Sequence, residues 1–173
     1  MEWKPISGVR VVGVGYKARQ GKDTIANYLA KQFNAQKFSF SDALYDVARV
    51  VFGMEEKDGP LLQVLGTEVF RRRDPDVWVK TVYRKIQDKA PAIAVIPDVR
   101  FPNEAQMVKD MGGKLIQIQR YLADGERYVA SDRPATHPSE VSMDGYKDWD
   151  AIIQSKDGDF AGIYAAVDAI MRG

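Results

Sequence analysis

The sequence contains no cysteine and a single histidine, which excludes disulfide bonds and zinc sites built from thiolates or from several histidines. Its formal net charge is +1, from 25 basic and 24 acidic residues. A charge this small gives no general attraction for a nucleic-acid polymer or a membrane surface. No apolar stretch has the length of a membrane span, and the first residues lack the apolar core of a signal peptide. We therefore expect a soluble cytoplasmic protein whose anion site is local and whose metal ligands, if any, are oxygens.

A length of 173 residues suits one domain with a single sizeable core. Apolar runs typical of buried strands alternate with helical patterns along the chain, and this alternation predicts an α/β fold with a parallel sheet of about five strands. We expect residues 1–173 to form one domain.

The most informative stretch is residues 9–24, VRVVGVGYKARQGKDT. Its valines predict a buried parallel strand, and the residues after Thr24 have the apolar spacing of a helix. Between them lies a glycine-bearing loop, where backbone N–H groups and the positive helix end converge and Lys22 adds a full charge. The pattern predicts a phosphate-binding loop. The alternative is an ordinary strand-to-helix turn with a solvated lysine.

The loop departs from the usual pattern G-x-x-x-x-G-K-[ST]. Tyr16 takes the place of the first glycine, Asp23 stands where the hydroxyl is expected, and Thr24 supplies a hydroxyl one residue later. The residue after the lysine ordinarily holds magnesium, so we expect Asp23 to act on the metal through a bound water.

Two further carboxylates follow predicted strands. Residues 92–97 are an apolar run that ends at Asp98, with Arg100 two positions on, and Asp42 follows the predicted strand 36–40. In an open parallel sheet these positions share the ligand-binding edge with the loop. Asp98 is therefore predicted to face magnesium and Arg100 a phosphate. Asp42 has an equally good alternative as a first-turn carboxylate that complements its helix dipole.

Two segments interrupt the alternation of strands and helices. Residues 54–90 have helical spacing throughout and contain three consecutive arginines, from Arg71 to Arg73, as well as Trp78. The arginines are either a solvated face or phosphate ligands, and Trp78 is either a core residue or a wall for a stacked base. Residues 121–139 have no apolar period, and such long loops are usually functional or disordered. We interpret this segment as a lid that presents arginines; the alternative is an idle surface loop.

Four stretches together resemble the deoxynucleoside monophosphate kinases of bacteriophages. ARQGKDT resembles that family's A-R-S-G-K-D-T, and DVRFPNEA matches its D-V-R-F-x-N-E signature. LLQVLGTEVFR resembles L-Q-x-L-G-T-E-x-x-R, and residues 137–140 match H-x-S-E. The resemblance spans nearly the whole chain.

The resemblance implies a P-loop kinase fold in which residues 54–90 bind the monophosphate and residues 121–139 form the lid. It implies transfer of a phosphoryl group from ATP, with Mg²⁺, to the 5′-phosphate of a deoxynucleoside monophosphate. The residues that it places at ATP are Ala18, Arg19, Gln20, Gly21, Lys22, Asp23, Thr24 and Arg127. Those at the monophosphate are Asp42, Gln63, Arg71, Arg72, Trp78, Asp98, Arg100, Glu104, His137 and Glu140. Lys22, Arg100, Arg133 and Asp42 are expected to be catalytic, with Arg120 and Arg127 as alternatives to Arg133 in the lid, and Asp98 and Asp23 to hold the metal.

Two other functions fit the loop. One is another small P-loop kinase, such as a dephospho-coenzyme A kinase, which differs in the acceptor. The other is a nucleotide-binding module that has lost catalysis, with Tyr16 as the damaged position. The resemblance further suggests a homodimer that binds no nucleic-acid polymer and no membrane, in the host cytoplasm if the gene is carried by a phage.

Overall fold

In a computed structural model, which describes residues 2–131 and 134–173, five parallel strands form one sheet in the order β2-β3-β1-β4-β5. The strands are β1 Arg10–Gly15, β2 Gln36–Lys37, β3 Ile93–Val99, β4 Lys114–Tyr121 and β5 Ala151–Lys156. The predicted fold class is confirmed.

Helices cover both faces of this sheet. The helices are α1 Lys22–Phe33, α2 Asp42–Phe52, α3 Gly59–Gln63, α4 Val77–Lys89, α5 Pro102–Asp110, α6 Pro138–Val141 and α7 Phe160–Arg172. Helices α1 and α7 pack with one apolar cluster, and α4 and α5 pack with the other. Side chains of a strand alternate between the two faces, so Val11 enters the α4–α5 cluster while Val12 and Val14 enter the α1–α7 cluster.

The functional edge follows from the parallel register. Val12 of β1 lies opposite Val95 of β3, and Gly15 opposite Val99. Because the two strands run in the same direction, the loop after β1 and the turn after β3 leave the sheet at one edge. The predicted neighbourhood of Lys22, Asp98 and Arg100 arises in this way.

The predicted strand 36–40 is shorter than expected, since β2 contains only Gln36 and Lys37. Phe38 N still donates to Val95 O at 2.9 Å. Beyond that point the N–H groups of Phe40 and Ser41 donate to the Asp98 carboxylate instead of to the sheet. The carboxylate at the end of β3 therefore turns the chain out of the sheet.

Segment 54–90 is largely helical, as predicted. Helix α3 continues into a wider π-helical segment, Val64–Arg71, and α4 follows after a short turn. Trp78 is only 4% exposed, packs at 5.2 Å from the ring of Phe70, and donates its Nε1–H to Gly66 O at 3.2 Å. Trp78 is thus a core residue, and its prediction as a wall for a base is wrong in this structure.

None of the helices within the described residues combines the length and apolar character needed to cross a membrane.

Candidate functional site

The loop after β1 is held tightly between its neighbours. A side chain at Gly15 would come within 2.7 Å of Trp149 and 2.8 Å of Val99 O, so only glycine fits where the loop leaves the strand. Gly21 has a φ of 109°, which favours glycine, and α1 begins at the next residue. The chain therefore brings the N-terminal end of α1 directly behind the loop.

Lys22 is the cation of the site whose pKa is shifted most from its usual value. It is 7% exposed, and its Nζ donates to Lys17 O across the loop. Burial, followed by the nearby charge of Arg100, lowers the pKa of Lys22 to about 7. A bound anion would counter both causes, because a nearby negative charge favours the ammonium form.

Two cavities open on opposite sides of this lysine. The β5 cavity, of about 550 Å³, lies towards β5 and α7, and its lining includes Gly21, Thr24, Arg120, Tyr128, Asp157 and Phe160. The β3 cavity, of about 470 Å³, lies towards β2 and β3, and its lining includes Ala18, Lys37, Ser39, Asp42, Asp98 and Arg100. Arg19, Lys22 and Asp23 line both. The loop is therefore the shared wall of two adjoining sites.

Carboxylates cluster in the β3 cavity. Asp98 Oδ2 accepts from Ser39 Oγ at 2.5 Å and from Ser41 N at 3.1 Å, and Oδ1 accepts from Phe40 N at 3.1 Å. Burial and the charge of Asp98 raise the pKa of Asp42. Asp98 thus fixes the β2–α2 turn that carries Asp42, and a cation between the two carboxylates would relieve their repulsion.

Glu140 of α6 fixes the direction of the Arg100 side chain. Arg100 Nη1 donates to Glu140 Oε1 at 2.8 Å, while Glu140 Oε2 accepts from Ala18 N at 2.9 Å. Lys17 Nζ also donates to Glu140 O, at 2.7 Å. Glu140 therefore ties the arginine of the β3 cavity to the loop beside Lys22.

A second pair joins the π-helical segment to the same turn. Arg71 Nη2 lies 2.7 Å from Glu104 Oε1, and Glu104 Oε2 accepts from Arg100 N at 2.8 Å and Phe101 N at 3.1 Å. Glu104 is 1% exposed. Burial raises the pKa of Glu104 to about 7, although Arg71 and the Arg100 N–H act in the opposite direction.

This raised pKa gives a testable dependence of stability on pH. An unfolded glutamate titrates near 4.5, so the folded chain binds the extra proton between that pH and about 7. The contribution of this proton to the free energy of unfolding is fully present below the pKa of the unfolded chain. It is lost as pH rises through the pKa of the folded chain. Between pH 5 and 8, we expect the free energy of unfolding to fall by about 1–3 kcal/mol more in the wild type than in Glu104→Gln. Urea denaturation of both proteins measures this difference. A fall of the same size in both proteins would show that Arg71 keeps Glu104 ionised, because Glu104 would then carry the same charge in the folded and unfolded chain over this pH range.

Tyr16 occupies the first position of the loop and is 5% exposed. The ring stacks on Trp149 with centroids 5.9 Å apart, and the hydroxyl donates to Asp144 Oδ1 at 2.8 Å. Burial, followed by the hydrogen bond to Asp144, raises the pKa of Tyr16 to about 12. The departure from the usual loop pattern is therefore accommodated by packing against residues 144–149.

Comparison with known proteins decides the family. Residues 59–163 match the family model described as deoxynucleotide monophosphate kinase. The chain belongs to the deoxynucleotide monophosphate kinase family. It is accordingly a phosphotransferase, and the alternatives of a dephospho-coenzyme A kinase and a non-catalytic module receive no support from the comparisons.

Two viral proteins are similar to this kinase. A protein of Acanthamoeba polyphaga mimivirus, whose name marks it as a candidate deoxynucleotide monophosphate kinase, is 31% identical over 165 residues, with 77% of this chain and 81% of that protein covered. The deoxynucleoside-5′-monophosphate kinase of Escherichia phage T5 is 33% identical over 89 residues. That match covers 48% of this chain and 33% of the phage protein.

A solved structure agrees on the fold. A sugar kinase from Janibacter sp. superposes with a TM-score of 0.51 and covers 94% of this chain and 92% of its own. Its sequence identity is 13%, so the likeness concerns the fold alone.

The structure brings together many of the residues that the sequence singles out in this kinase. The cavity linings contain Ala18, Arg19, Gln20, Gly21, Lys22, Asp23, Thr24, Asp42, Asp98 and Arg100. Gln20 differs from the expectation, since it is 2% exposed and its side-chain amide is bonded to protein groups.

Other predicted residues lie away from the two cavities. Among the described residues, the linings leave out Gln63, Arg71, Arg72, Trp78, Glu104, Arg127, His137 and Glu140. Glu104 and Glu140 instead hold arginines, and His137 Nδ1 lies 2.8 Å from Ser139 Oγ at the start of α6. Arg127 has two buried guanidinium nitrogens, Nε and Nη2, with no hydrogen-bond partner in the described part of the chain. Arg133 lies outside the described residues.

Sequence reasoning missed part of each cavity. In the β5 cavity it missed Tyr128 and residues 155–160, and in the β3 cavity it missed Lys37, Ser39 and Ser41. The available signal was position, since residues 155–160 and 37–42 lie at the ends of β5 and β2 or just after them, at the ligand-binding edge of the sheet.

Proposed function

We propose that this kinase transfers the γ-phosphoryl group of ATP to the 5′-phosphate of a deoxynucleoside monophosphate, giving a diphosphate and ADP. One observation carries the proposal: Lys22, at the N-terminal end of α1, lines both the β5 cavity and the β3 cavity. A donor in one cavity and an acceptor in the other would direct their phosphates to the same lysine. Phosphoryl transfer requires little more than this alignment and the neutralisation of charge.

We assign the β5 cavity to ATP. Its lining combines the loop residues Gly21 and Thr24 with the flat groups of Arg120, Tyr128 and Phe160. Loop N–H groups and a helix N-terminal end suit the inner phosphates. Guanidinium and aromatic faces suit a purine ring.

We assign the β3 cavity to the monophosphate. Arg100 offers a guanidinium fork for the phosphate, and Glu140 fixes its direction. Asp42, with the hydroxyl groups of Ser39 and Ser41, lines the remainder and offers acceptors and donors to the sugar or to the phosphate.

The reaction breaks the bond between the β,γ-bridging oxygen and the γ-phosphorus, and forms one from an oxygen of the acceptor phosphate to the same phosphorus. Lys22 and Arg100 stabilise the charge on the moving group and on the acceptor. We expect an arginine of segment 121–139, Arg127 or Arg133, to add a further positive charge at the moving group when the segment closes. Arg120, the third candidate, lines the β5 cavity and is assigned to the base there. Closure would also exclude water, which otherwise hydrolyses ATP.

Mg²⁺ fits the β3 side of the loop. Asp23, Asp42 and Asp98 line the same cavity, and Mg²⁺ commonly binds through one or two carboxylates while keeping several waters. Waters and the substrate phosphates would complete the coordination of the ion. Asp98 and Asp23 would hold the ion, which would supply charge neutralisation to the phosphates.

Segment 54–90 reaches the acceptor site indirectly. It contributes no described residue to either cavity lining, but Arg71 holds Glu104, which in turn fixes the turn at Arg100. We propose that this segment covers the monophosphate and that residues 121–139 act as the lid. A homodimer, a cytoplasmic location and the absence of a nucleic-acid partner stay predictions.

Turnover tests the proposed function directly. The purified protein is incubated with ATP, Mg²⁺ and each of the four deoxynucleoside monophosphates in turn, and ADP is followed over time, with matching ribonucleotides in parallel. We expect ADP formation that requires an acceptor. ATP binding without acceptor-dependent ADP for any nucleotide would refute the proposal and favour a non-catalytic module.

A further inference from the structure

A buried amide lies inside the phosphate loop. Gln20 is 2% exposed although it stands between loop residues that line the cavities. Its Oε1 accepts from Arg120 N at 2.8 Å, and its Nε2 donates to Tyr128 O at 2.9 Å. A buried primary amide needs partners at both ends. Gln20 finds its two shortest ones on Arg120 and Tyr128, about a hundred residues away in the chain.

These two partners form one unit. Tyr128 N donates to Arg120 O at 2.9 Å, and the Arg120 guanidinium lies 4.2 Å from the centre of the Tyr128 ring. Arg120 Nη2 is also 2.8 Å from Asp157 Oδ1, across the β5 cavity wall. A guanidinium fixed by a ring on its face and a carboxylate at its edge is a flat, oriented cation. Such a group is a good stacking surface for a nucleobase.

We propose that Gln20 is a positioning residue, which fixes the Arg120–Tyr128 pair as the base-binding wall of the β5 cavity and thereby sets the affinity for ATP. The inference rests on the proposed assignment of that cavity to the donor nucleotide. Gln20 acts on the base through Arg120 and Tyr128, while the loop N–H groups and Lys22 act on the phosphates. The two parts of ATP are therefore recognised by separate groups that Gln20 joins.

The test separates the base from the phosphates. Gln20→Met keeps the length of the side chain and removes both hydrogen bonds. ATP and inorganic tripolyphosphate are titrated against each protein by calorimetry. We expect Gln20→Met to weaken ATP binding about ten-fold, the value of one lost stacking contact, and to change tripolyphosphate binding by less than about two-fold. In turnover, KM for ATP is expected to rise while KM for the monophosphate is unchanged.

Gln117→Met is the matched control. Gln117 lies on β4, is 6% exposed, and accepts from Gln119 Nε2 at 3.0 Å. The chemical change and the burial are similar, so an effect of lost stability alone would appear in both variants. We expect Gln117→Met to bind ATP and tripolyphosphate as the wild type does.

Two results would overturn the inference: unchanged ATP affinity in Gln20→Met, or an equal loss for ATP and tripolyphosphate. If Gln20→Met does not fold, Arg120→Met replaces it, because that change removes the wall but keeps the backbone N–H that Gln20 uses. It is expected to weaken ATP and spare tripolyphosphate, and an equal loss of both ligands, or no loss of ATP affinity, would overturn the inference. A wild-type protein that binds ATP but never phosphorylates a monophosphate would refute the proposed function instead.

Discussion

Replacing Lys22 by alanine is expected to reduce kcat roughly a hundred- to thousand-fold while the fold is retained. Lys22 borders both cavities, as Arg19 does, and the Nζ of Lys22 contacts a loop carbonyl in place of a carboxylate. Loss of one preorganised charge of this kind costs about 3–4 kcal/mol of transition-state stabilisation. Initial rates at saturating ATP and monophosphate, together with circular dichroism, measure the effect.

Lys31→Ala serves as the control for this variant. Lys31 stands in the last turn of the same helix and is exposed, so it tests the loss of a lysine from α1 without touching the loop. Its kcat is expected to equal that of the wild type. A folded Lys22→Ala protein with wild-type kcat would remove Lys22 from the mechanism.

The second large effect is expected from Arg100→Ala, which should raise KM for the monophosphate about ten- to a hundred-fold and leave ATP affinity nearly unchanged. Arg100 lines the β3 cavity. It does not belong to the described residues that line the β5 cavity. A charge-assisted hydrogen bond to a phosphate contributes about 1.5–3 kcal/mol. Separate titrations with ATP and with the monophosphate, supported by steady-state kinetics, measure the two affinities.

Two further variants serve as comparisons for Arg100→Ala. Arg100→Lys keeps the charge but loses the fork, and we expect it to fall between the wild type and alanine. Arg84→Ala, at an exposed position on α4, is expected to change neither affinity. Equal losses for ATP and monophosphate in Arg100→Ala would mean that Arg100 shapes the loop through Glu140 and Ala18 and does not bind the acceptor.

The sequence predicts well those features that depend on periodicity and chain direction. The run of valines before Gly15 indicates β1, and the apolar run before Asp98 indicates β3. Because parallel strands end at one edge, the meeting of Lys22 with Asp98 and Arg100 follows without any knowledge of side-chain contacts. In the structure, all three residues line the β3 cavity.

The sequence could not predict which partner a polar side chain selects. Glu104 and Glu140 are expected from the resemblance to be ligands, yet each is bonded to an arginine in the folded chain. Gln20 turns inwards because Arg120 N and Tyr128 O are available there, and these come from distant parts of the chain. The helical spacing of Trp78 favours a core residue over a wall for a base, and the packing of Phe70 against it decides between the two.

The most direct test of the account is the affinity for a compound in which adenosine and the preferred deoxynucleoside are joined by a polyphosphate chain. If the β5 and β3 cavities hold donor and acceptor on either side of Lys22, one molecule fills both, and we expect it to bind at least about a hundred-fold more tightly than ATP. Lys22→Ala should then lose much of that gain. Binding no tighter than ATP would show that the two cavities do not hold one continuous line of phosphates and would contradict the account.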